Sequence, residues 1–436
     1  MERKNRRDFL ILAGSLLFIL LSINCSFSQA QENARNSILL RTGWDVETYG
    51  DLAAIPAIYR SIQRFVPKTE VIIWPSEMTD ELRSLLETGF TQLKMVEGEI
   101  NEAGEPTTEE LKEAFESSNL FLYAAGVHRK IDWTGNDPEG TETTSISYCR
   151  KMNIPYVIYG LGEIPETQEV QTAFMNILNG ASLSFVTESR SAGQIKDLKL
   201  KIENLKSGPS PLFAFDMKND TGARNYIEDS GIVDHDFIAV NFRNTSHSET
   251  DDDSPVKKIL FILNNWAQST DHLILLIADS REDIEYMKKI YDDLPETVKS
   301  KTIVFDAVFS PDMISSVLEK SRITIAMSPY PLFSALLTDI PIFHLADWNY
   351  NTDGQIFIDL GLKDYVMDIN STSEQDLLKA MVNINDSYVK ALIETNKSHN
   401  EVLKELQESF QNISQILLKI NPVPKGKEKK PKKTKE

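Results

Sequence analysis

The feature that most constrains the fold is a repeated alternation of short apolar runs with segments of helical periodicity. From residue 36 the runs SILLRTG, EVIIWP, NLFLYAAG, IPYVIYGLG and LSFVTES are separated by stretches such as DLAAIPAIYRSIQRFV and VQTAFMNILNG. Such runs are typical of buried parallel strands that are joined by crossover helices. The sequence therefore predicts an α/β protein, with mostly parallel sheets that carry helices on both faces.

The alternation restarts near residue 237, with FIAVNFRN, HLILLIA, TIVFDA, RITIAM and IPIFHL as the apolar runs. A chain of 436 residues is long enough for two or three domains. We predict two α/β domains, at residues 36–220 and 235–370, with a cleft between them. Residues 371–420 are predicted to be helical and open with a capping-box pattern, STSEQDLLKAM.

The N-terminus predicts export. A basic start, an apolar run at residues 9–23 and the small residues around Ser28-Gln29-Ala30 together indicate a signal peptide over residues 1–30. Arg6-Arg7 resembles the twin-arginine signal, although an ordinary secretory signal, an uncleaved anchor and lipidation at Cys25 stay open. We expect the protein in the periplasm or cell envelope, with membrane contact only through the signal segment if it is uncleaved.

Charge limits the partners. The net charge is −19, although the last twelve residues, KGKEKKPKKTKE, carry seven lysines against two glutamates. An acidic body repels nucleic acid, because nucleic-acid binding needs Lys and Arg to displace counterions. We therefore predict no nucleic-acid partner, and we interpret residues 421–436 as a disordered Lys-rich tail.

Several common site motifs are missing from the sequence. The six histidines form no HExxH and no metal-type spacing with cysteine, and GxSxG, Walker and GxGxxG motifs are also missing. The acidic run HSETDDD lacks the spacing of a calcium loop and is interpreted as a solvated turn. No metal and no cofactor are predicted.

Three loops at predicted strand ends carry the candidate site. In the first, Thr48-Tyr49-Gly50-Asp51, the glycine permits a tight backbone and the aspartate can cap the next helix. In the second, residues 124–130, small residues are followed by cations that could neutralise an anion. The third, residues 187–191, has the sequence TESRS. Each loop is also compatible with a purely structural role. The predicted ligand-binding residues are Gly50, Asp51, Gly126, His128, Arg129, Arg190 and Arg243.

The order of the motifs points to a family. YGDLAAIPAI, LFLYAAG, PYVIYGLGEIP, FVTESRSAGQIKDL, FIAVNFR, ITIAMSPYPLFSALLTDIPIFHL and FIDLGLKDYV follow one another as in the polysaccharide pyruvyl transferase family, which the chain resembles over about residues 39–370. The resemblance implies two Rossmann-like domains in a GT-B-type arrangement with an interdomain cleft. It also implies transfer of a pyruvyl group from phosphoenolpyruvate to a sugar of a cell-surface glycan.

The chain departs from the family pattern at its charged positions. Where the family has M-R-L-H-A, alignment places Ser328 at the arginine and Tyr330 at the histidine that is the family's expected acid. The usual lysine has no counterpart near Asn351, and the glycine-rich loop is reduced to Ala124-Ala125-Gly126. Ser328 and Tyr330 are thus the predicted catalytic positions, and both are substituted. The positive charge that would bind an anionic donor could instead come from Arg129, Lys130, Arg190 and Arg243.

Two hypotheses follow. The first is an exported pyruvyl transferase-like enzyme that binds phosphoenolpyruvate or another anionic donor together with a saccharide acceptor. The second is a catalytically inactive protein of the same fold that binds a saccharide or other ligand in the cell envelope, with aromatic side chains as stacking faces. The candidate aromatic side chains are Trp44, Trp133, Tyr330, Trp348 and Tyr350.

Overall fold

The computed structural model describes residues 36–42, 48–91, 93–124, 141–162, 164–165, 167–243, 255–305, 310–349 and 352–420. Several predictions lie outside these residues: the signal segment, the Lys-rich tail, the acidic run at residues 247–253 and part of the candidate site. No helix in the described part of the chain is long and apolar enough to cross a bilayer.

The first unit is built on a seven-stranded sheet with the order β3-β2-β1-β4-β5-β6-β7, and every strand pair in it is parallel. Its strands are β1 (Asn36–Thr42), β2 (Thr69–Trp74), β3 (Lys94–Met95), β4 (Leu120–Ala124), β5 (Tyr156–Leu161), β6 (Leu183–Val186) and β7 (Leu205–Ser207). Its helices are α1 (Tyr49–Phe65), α2 (Asp80–Gly89), α3 (Glu109–Ser117), α4 (Thr141–Met152), α5 (Gln168–Gly180) and α6 (Ser189–Asp197).

The second unit follows a 3₁₀ turn at Pro211–Ala214 and helix α7 (Asp220–Asp229). Its six parallel strands have the order β10-β9-β8-β11-β12-β13. The strands are β8 (Phe237–Asn241), β9 (Leu273–Ile277), β10 (Thr302–Phe305), β11 (Ile323–Ala326), β12 (Ile342–Ala346) and β13 (Val366–Asp368). The helices are α8 (Pro255–Ser269), α9 (Arg281–Asp293), α10 (Glu296–Lys299), α11 (Pro311–Leu318), α12 (Pro329–Leu337), α13 (Gly354–Asp359), α14 (Glu374–Asp386) and α15 (Tyr388–Ile420).

The prediction of two parallel α/β units is confirmed. In both sheets the strand order reverses beside the first strand, between β1 and β4 and between β8 and β11. The central strands are buried along their whole length, which is why they read as continuous apolar runs in the sequence. Loops at such reversal points, at the carboxyl ends of the strands, form the usual ligand crevice of an open parallel sheet.

One apolar cluster runs through both units. It covers the α1 face of the first sheet, the 3₁₀ turn, most of the second unit and the long helix α15. A second cluster fills the opposite face of the first sheet, beneath α3, α4 and α5. Helix α15 reaches back to the first unit, where the ring of Phe410 stacks on that of Tyr159 with centroids 5.3 Å apart.

We expect Phe410→Ala to destabilise the protein by about 3–5 kcal/mol, because it removes a fully buried ring at the contact between α15 and β5. Chemical unfolding followed by circular dichroism measures this loss. Gln411→Ala, an exposed neighbour on the same helix, is the control and is expected to stay within about 0.5 kcal/mol of the parent. Equal stabilities of the two variants would contradict the packing of α15 on the first sheet.

Candidate site between the carboxyl edges of the two sheets

The start of α1 touches the second sheet. The N–H of Tyr49 donates a 3.2 Å hydrogen bond to the carbonyl oxygen of Asp279, just beyond β9, and Thr48 forms a β-bridge with Ser280. Thr48 is the N-cap of α1, and its capping box with Asp51 joins the carboxylate to the Thr48 N–H at 2.9 Å and to its hydroxyl at 2.7 Å. The sequence predicted Asp51 as the capping residue of α1. In the structure Thr48 is the N-cap, and Asp51, three residues later, is its partner in the capping box.

Ser328 is the N-cap of helix α12, at the strand-order reversal of the second sheet. Ser328 is fully buried, its N–H donates to the side-chain oxygen of Asn241 at 3.1 Å, and its hydroxyl has no hydrogen-bond partner among the residues described. Pro329 and Pro331 occupy the first and third helical positions and carry no N–H. This turn therefore offers an anion far fewer backbone donors than an ordinary helix N-terminus does.

Tyr330 is packed rather than exposed. Its hydroxyl donates to the carbonyl oxygen of Pro311 at 3.1 Å, and its ring lies 6.5 Å from that of Tyr49 and 6.3 Å from that of Phe215. Burial raises the pKa of Tyr330 well above its ordinary value. A general acid at neutral pH needs the opposite shift. The assignment of Ser328 and Tyr330 as catalytic stays a prediction, and no feature of the surroundings of Tyr330 favours proton transfer.

Arg243 lies at the end of β8, beside the contact made by α1. Its guanidinium is 3.4 Å from the carboxylate of Asp279, and the exposed fractions of the two side chains are 17% and 2%. The buried carboxylate holds the arginine at the carboxyl edge of the second sheet. Arg243 thus places a partly accessible positive charge where the sequence predicted one.

The start of α6 makes a second contact between the units. Glu188 is its N-cap and accepts hydrogen bonds from the N–H groups of Arg190 and Ser191, at 2.6 and 3.0 Å. From the second unit, the carboxylate of Asp359 accepts from the Ser189 N–H at 2.6 Å and from its hydroxyl at 2.7 Å. Two carboxylates therefore share one helix N-terminus, which has the positive end of the helix dipole to stabilise them.

Arg190 lies next to this contact and faces the second unit. Its guanidinium carbon is 5.9 Å from the ring centroid of Trp348, which follows β12. The Trp348 ring packs on Gly354, where a Cβ atom would lie only 2.7 Å from the indole. The glycine thus leaves room for the indole, and the indole and the guanidinium together offer an aromatic face and a cation at the carboxyl edge of the second sheet.

A cavity of about 460 Å³ opens beside the second contact, between α6, α13 and α15. Four carboxylates line it, from Glu188, Asp359, Glu405 and Glu408, together with the amine of Lys206, which donates to Asn412 at 2.6 Å. Burial raises the pKa values of Glu188 and Glu405, and the charge of Asp359 adds to both shifts. The cavity therefore has an acidic lining that disfavours anions.

The structure brings four predicted site residues to the facing edges of the sheets: Gly50 and Asp51 at the first contact, Arg243 beside it and Arg190 at the second. Gly126, His128 and Arg129 lie outside the described residues, as do Lys130, Trp44, Trp133 and Tyr350. Sequence reasoning missed Asn241, Asp279 and Asp359. Asp279 follows β9 and Asp359 is the last residue of α13. Neither element has a sequence motif that marks a functional residue, so no local pattern predicted these two aspartates.

Comparison with known proteins places the fold. No family model matches the chain, and no curated protein matches it. Among solved structures, the fold is similar to that of Anabaena HepE bound to UDP and glucose, with a TM-score of 0.56, 12% identity and coverage of 88% of this chain and 100% of that one. It is also similar to Staphylococcus aureus MnaA bound to UDP, with a TM-score of 0.59, 12% identity and coverage of 89% and 98%. A third similar fold is that of the UDP-GlcNAc 2-epimerase of Methanocaldococcus jannaschii, with a TM-score of 0.55, 12% identity and coverage of 85% of this chain and 99% of that one.

At this level of identity the similarity concerns the fold alone. It confirms the predicted fold class, which is two Rossmann-like domains in a GT-B-type arrangement with C-terminal helices. In this arrangement the carboxyl edges of the two sheets face each other, and the contacts of α1 and α6 lie between them.

Asp359→Asn is expected to loosen the second contact, because the amide keeps the shape of the carboxylate but removes the charge at the start of α6. Since Asp359 is solvent-exposed, we expect a loss of about 1 kcal/mol or less and faster amide exchange at residues 189–194. Hydrogen–deuterium exchange measures the second effect. The control is Asp364→Asn, another exposed aspartate of the second unit, and equal exchange in both variants would refute the contact.

Glu405→Gln is expected to stabilise the protein at neutral pH. The pKa of Glu405 is raised above 4.5 in the folded chain, so the ionised carboxylate lowers the free energy of unfolding at any pH above the folded-state pKa. This destabilisation disappears as the pH falls below the pKa of the unfolded chain. The groups around Glu405 are Glu401, Lys404 and Glu408 on its own helix and Asp359 on α13.

Urea unfolding at about pH 7 and about pH 5 should therefore show the advantage of Glu405→Gln shrinking on acidification. Glu87→Gln, on an exposed position of α2, is the matched control. A stability difference that is the same at both pH values would contradict the raised pKa.

Proposed function

We propose that the chain is a GT-B-type protein of glycan metabolism that binds an anionic donor and a saccharide between the facing edges of its two sheets. The observation that carries the proposal is the meeting of these edges at two contacts, with Arg243 beside one and Arg190 beside the other. Crevices at the carboxyl ends of parallel strands are the usual ligand sites of such sheets. The similar structures of Anabaena HepE and S. aureus MnaA contain UDP, which is an anionic ligand.

Within this class we propose that the protein is a divergent, exported relative of the polysaccharide pyruvyl transferases, acting on a cell-surface glycan. The support is the ordered set of seven sequence segments, together with the fold that this family adopts. The first thirty residues have the composition of an export signal, which favours a periplasmic or cell-envelope location.

The start of α12 is poorly suited to bind an anion. Because Pro329 and Pro331 lack N–H groups and the Ser328 N–H is bound to Asn241, that helix start contributes few donors. Arg190 and Arg243 are the cations that the described part of the chain places at the facing edges. An arginine bonded to a phosphate or carboxylate contributes about 1.5–3 kcal/mol.

The second candidate function is ligand binding without turnover. The observation that favours it is the packing of Tyr330, whose hydroxyl is bound to Pro311 and whose pKa is raised by burial. A protein that keeps the donor site but has no acid at this position would bind its ligands without transferring a group.

Isothermal titration of the purified protein tests these proposals, with phosphoenolpyruvate and UDP-glucose in separate experiments. We expect phosphoenolpyruvate to bind in the micromolar range and Arg190→Ala to weaken it at least about tenfold, because an arginine bonded to an anion is removed. Arg224→Ala, an exposed arginine on α7 in the second half of the chain, is the control and should bind as the parent does.

The outcomes separate the candidates. Binding of UDP-glucose without phosphoenolpyruvate would keep the anionic-donor site and refute the pyruvyl transferase proposal. Binding of phosphoenolpyruvate with no pyruvylation of any glycan acceptor would favour the second candidate. No heat from either ligand at millimolar concentration would refute the donor site altogether.

A further inference from the structure

A polar groove lies on the face of the first sheet opposite α1, away from the contacts described above. It has a volume of about 510 Å³ and runs between the turn at residues 101–104 and the helices α4 and α5. We call it the α4–α5 groove; its polar lining comes from Asn101, Glu102, Thr143, Ser147, Lys151 and Asn176. Small apolar groups from Ala103 and Ala173 lie among them.

One lining residue has an unmet hydrogen-bonding group. Thr143 is 7% exposed, and its hydroxyl has no hydrogen-bond partner in the described structure. A buried hydroxyl without a partner is costly, and such a group in a native protein calls for an explanation. The oxygen is itself covered, so a ligand hydroxyl in the groove supplies that partner once the Thr143 side chain rotates.

The groove carries few charges. The amine of Lys151 forms an ion pair with Glu105 at the rim, and Glu102 is the only other charged lining residue. Glu102 therefore leaves the groove and its rim with a net charge of −1, against four carboxylates in the cavity beside α15, and this charge disfavours an anionic ligand. The groove therefore fits a neutral polar ligand.

The backbone around the groove is already hydrogen-bonded. In the turn, the Asn101 N–H donates to the Glu105 carbonyl at 2.9 Å and the Gly104 N–H to the Asn101 carbonyl at 2.8 Å. On α5, the carbonyl of Asn176 accepts from Arg150 and that of Ile177 from the Tyr156 hydroxyl. The groove offers no strand edge to a peptide, so recognition falls to side-chain hydroxyl, amide and amine groups.

We propose that the α4–α5 groove binds a neutral saccharide as a second carbohydrate site. Sugar hydroxyls both donate and accept hydrogen bonds, as do the Thr143 and Ser147 hydroxyls and the Asn176 amide, and sugar C–H faces pack on small apolar groups. The choice of a saccharide over another neutral polyol rests on the proposed function. The site holds a glycan at a distance from the donor.

The test applies the full chain to an array of neutral oligosaccharides built from glucose, galactose, N-acetylglucosamine and N-acetylgalactosamine, with uronic acid oligomers as the charged counterpart. The strongest neutral ligand is then titrated. Ser147→Trp fills the groove from an exposed helical position, and Thr297→Trp, at an exposed helical position of the second unit, is the matched control. We expect Ser147→Trp to weaken binding at least about tenfold and Thr297→Trp to leave it unchanged.

Thr143→Val gives a second reading, because it keeps the shape of the side chain and removes only the hydroxyl. We expect its melting temperature to equal or exceed that of the parent, and its saccharide affinity to fall about three- to tenfold. A lower melting temperature with unchanged affinity would mean that the hydroxyl serves folding and would overturn its role in the groove.

Failure of this proposal is distinct from failure of the donor site. If no neutral oligosaccharide binds at millimolar concentration, or if Ser147→Trp binds as the parent does, the groove is not a saccharide site, whatever phosphoenolpyruvate and UDP-glucose do. If saccharide binding is lost in Arg190→Ala and kept in Ser147→Trp, the sheet edges hold the only saccharide site. Loss in Ser147→Trp with donor binding intact supports two separate sites.

Discussion

The arrangement of the two units depends on the burial of α1. Most of this helix is buried, and it packs within the apolar cluster that also contains the 3₁₀ turn, the second unit and α15. Because the helix cannot shift without opening that cluster, its first residues are fixed against β9 and α12. The separation of the two carboxyl edges, and with it the size of any ligand between them, follows from this packing rather than from the few polar bonds at the edge.

Those polar bonds set the chemistry. At the first contact a buried carboxylate, Asp279, holds Arg243, while at the second contact Glu188 and Asp359 share the start of α6. Burial, and to a smaller extent the charge of Asp359, raises the pKa of Glu188, while helix N–H groups and a serine hydroxyl donate hydrogen bonds that stabilise the carboxylate form. An acidic protein can therefore offer an anion only a few places, and in the described chain these are beside its arginines.

The sequence predicted the sheets well, because buried parallel strands must be continuous apolar runs and their crossover helices must be amphipathic. The candidate site was harder to predict. Ser189 and Asp359 are 170 positions apart, so their contact has no local signature. The sequence predicted Asp51 rather than Thr48 as the cap of α1. Both threonine and aspartate are common N-cap residues, so the sequence Thr48-Tyr49-Gly50-Asp51 does not show which of the two precedes the first helical turn. The groove combines a turn, two helices and an unpartnered threonine that only the folded chain brings together.

The turn Ser328-Pro329-Tyr330-Pro331 lies where an open parallel sheet normally presents a helix N-terminus to its ligand. Its prolines fit the first turn of a helix and stiffen it, but they remove the donors that bind anions. The Tyr330 side chain that follows packs on α1 and closes the space between the units at that point. Residues that elsewhere in such folds face the ligand here stabilise the contact between the units. Within the described chain, the cations at these edges therefore lie to the sides, on the guanidinium groups of Arg243 just beyond β8 and Arg190 on α6, rather than at the helix in the centre.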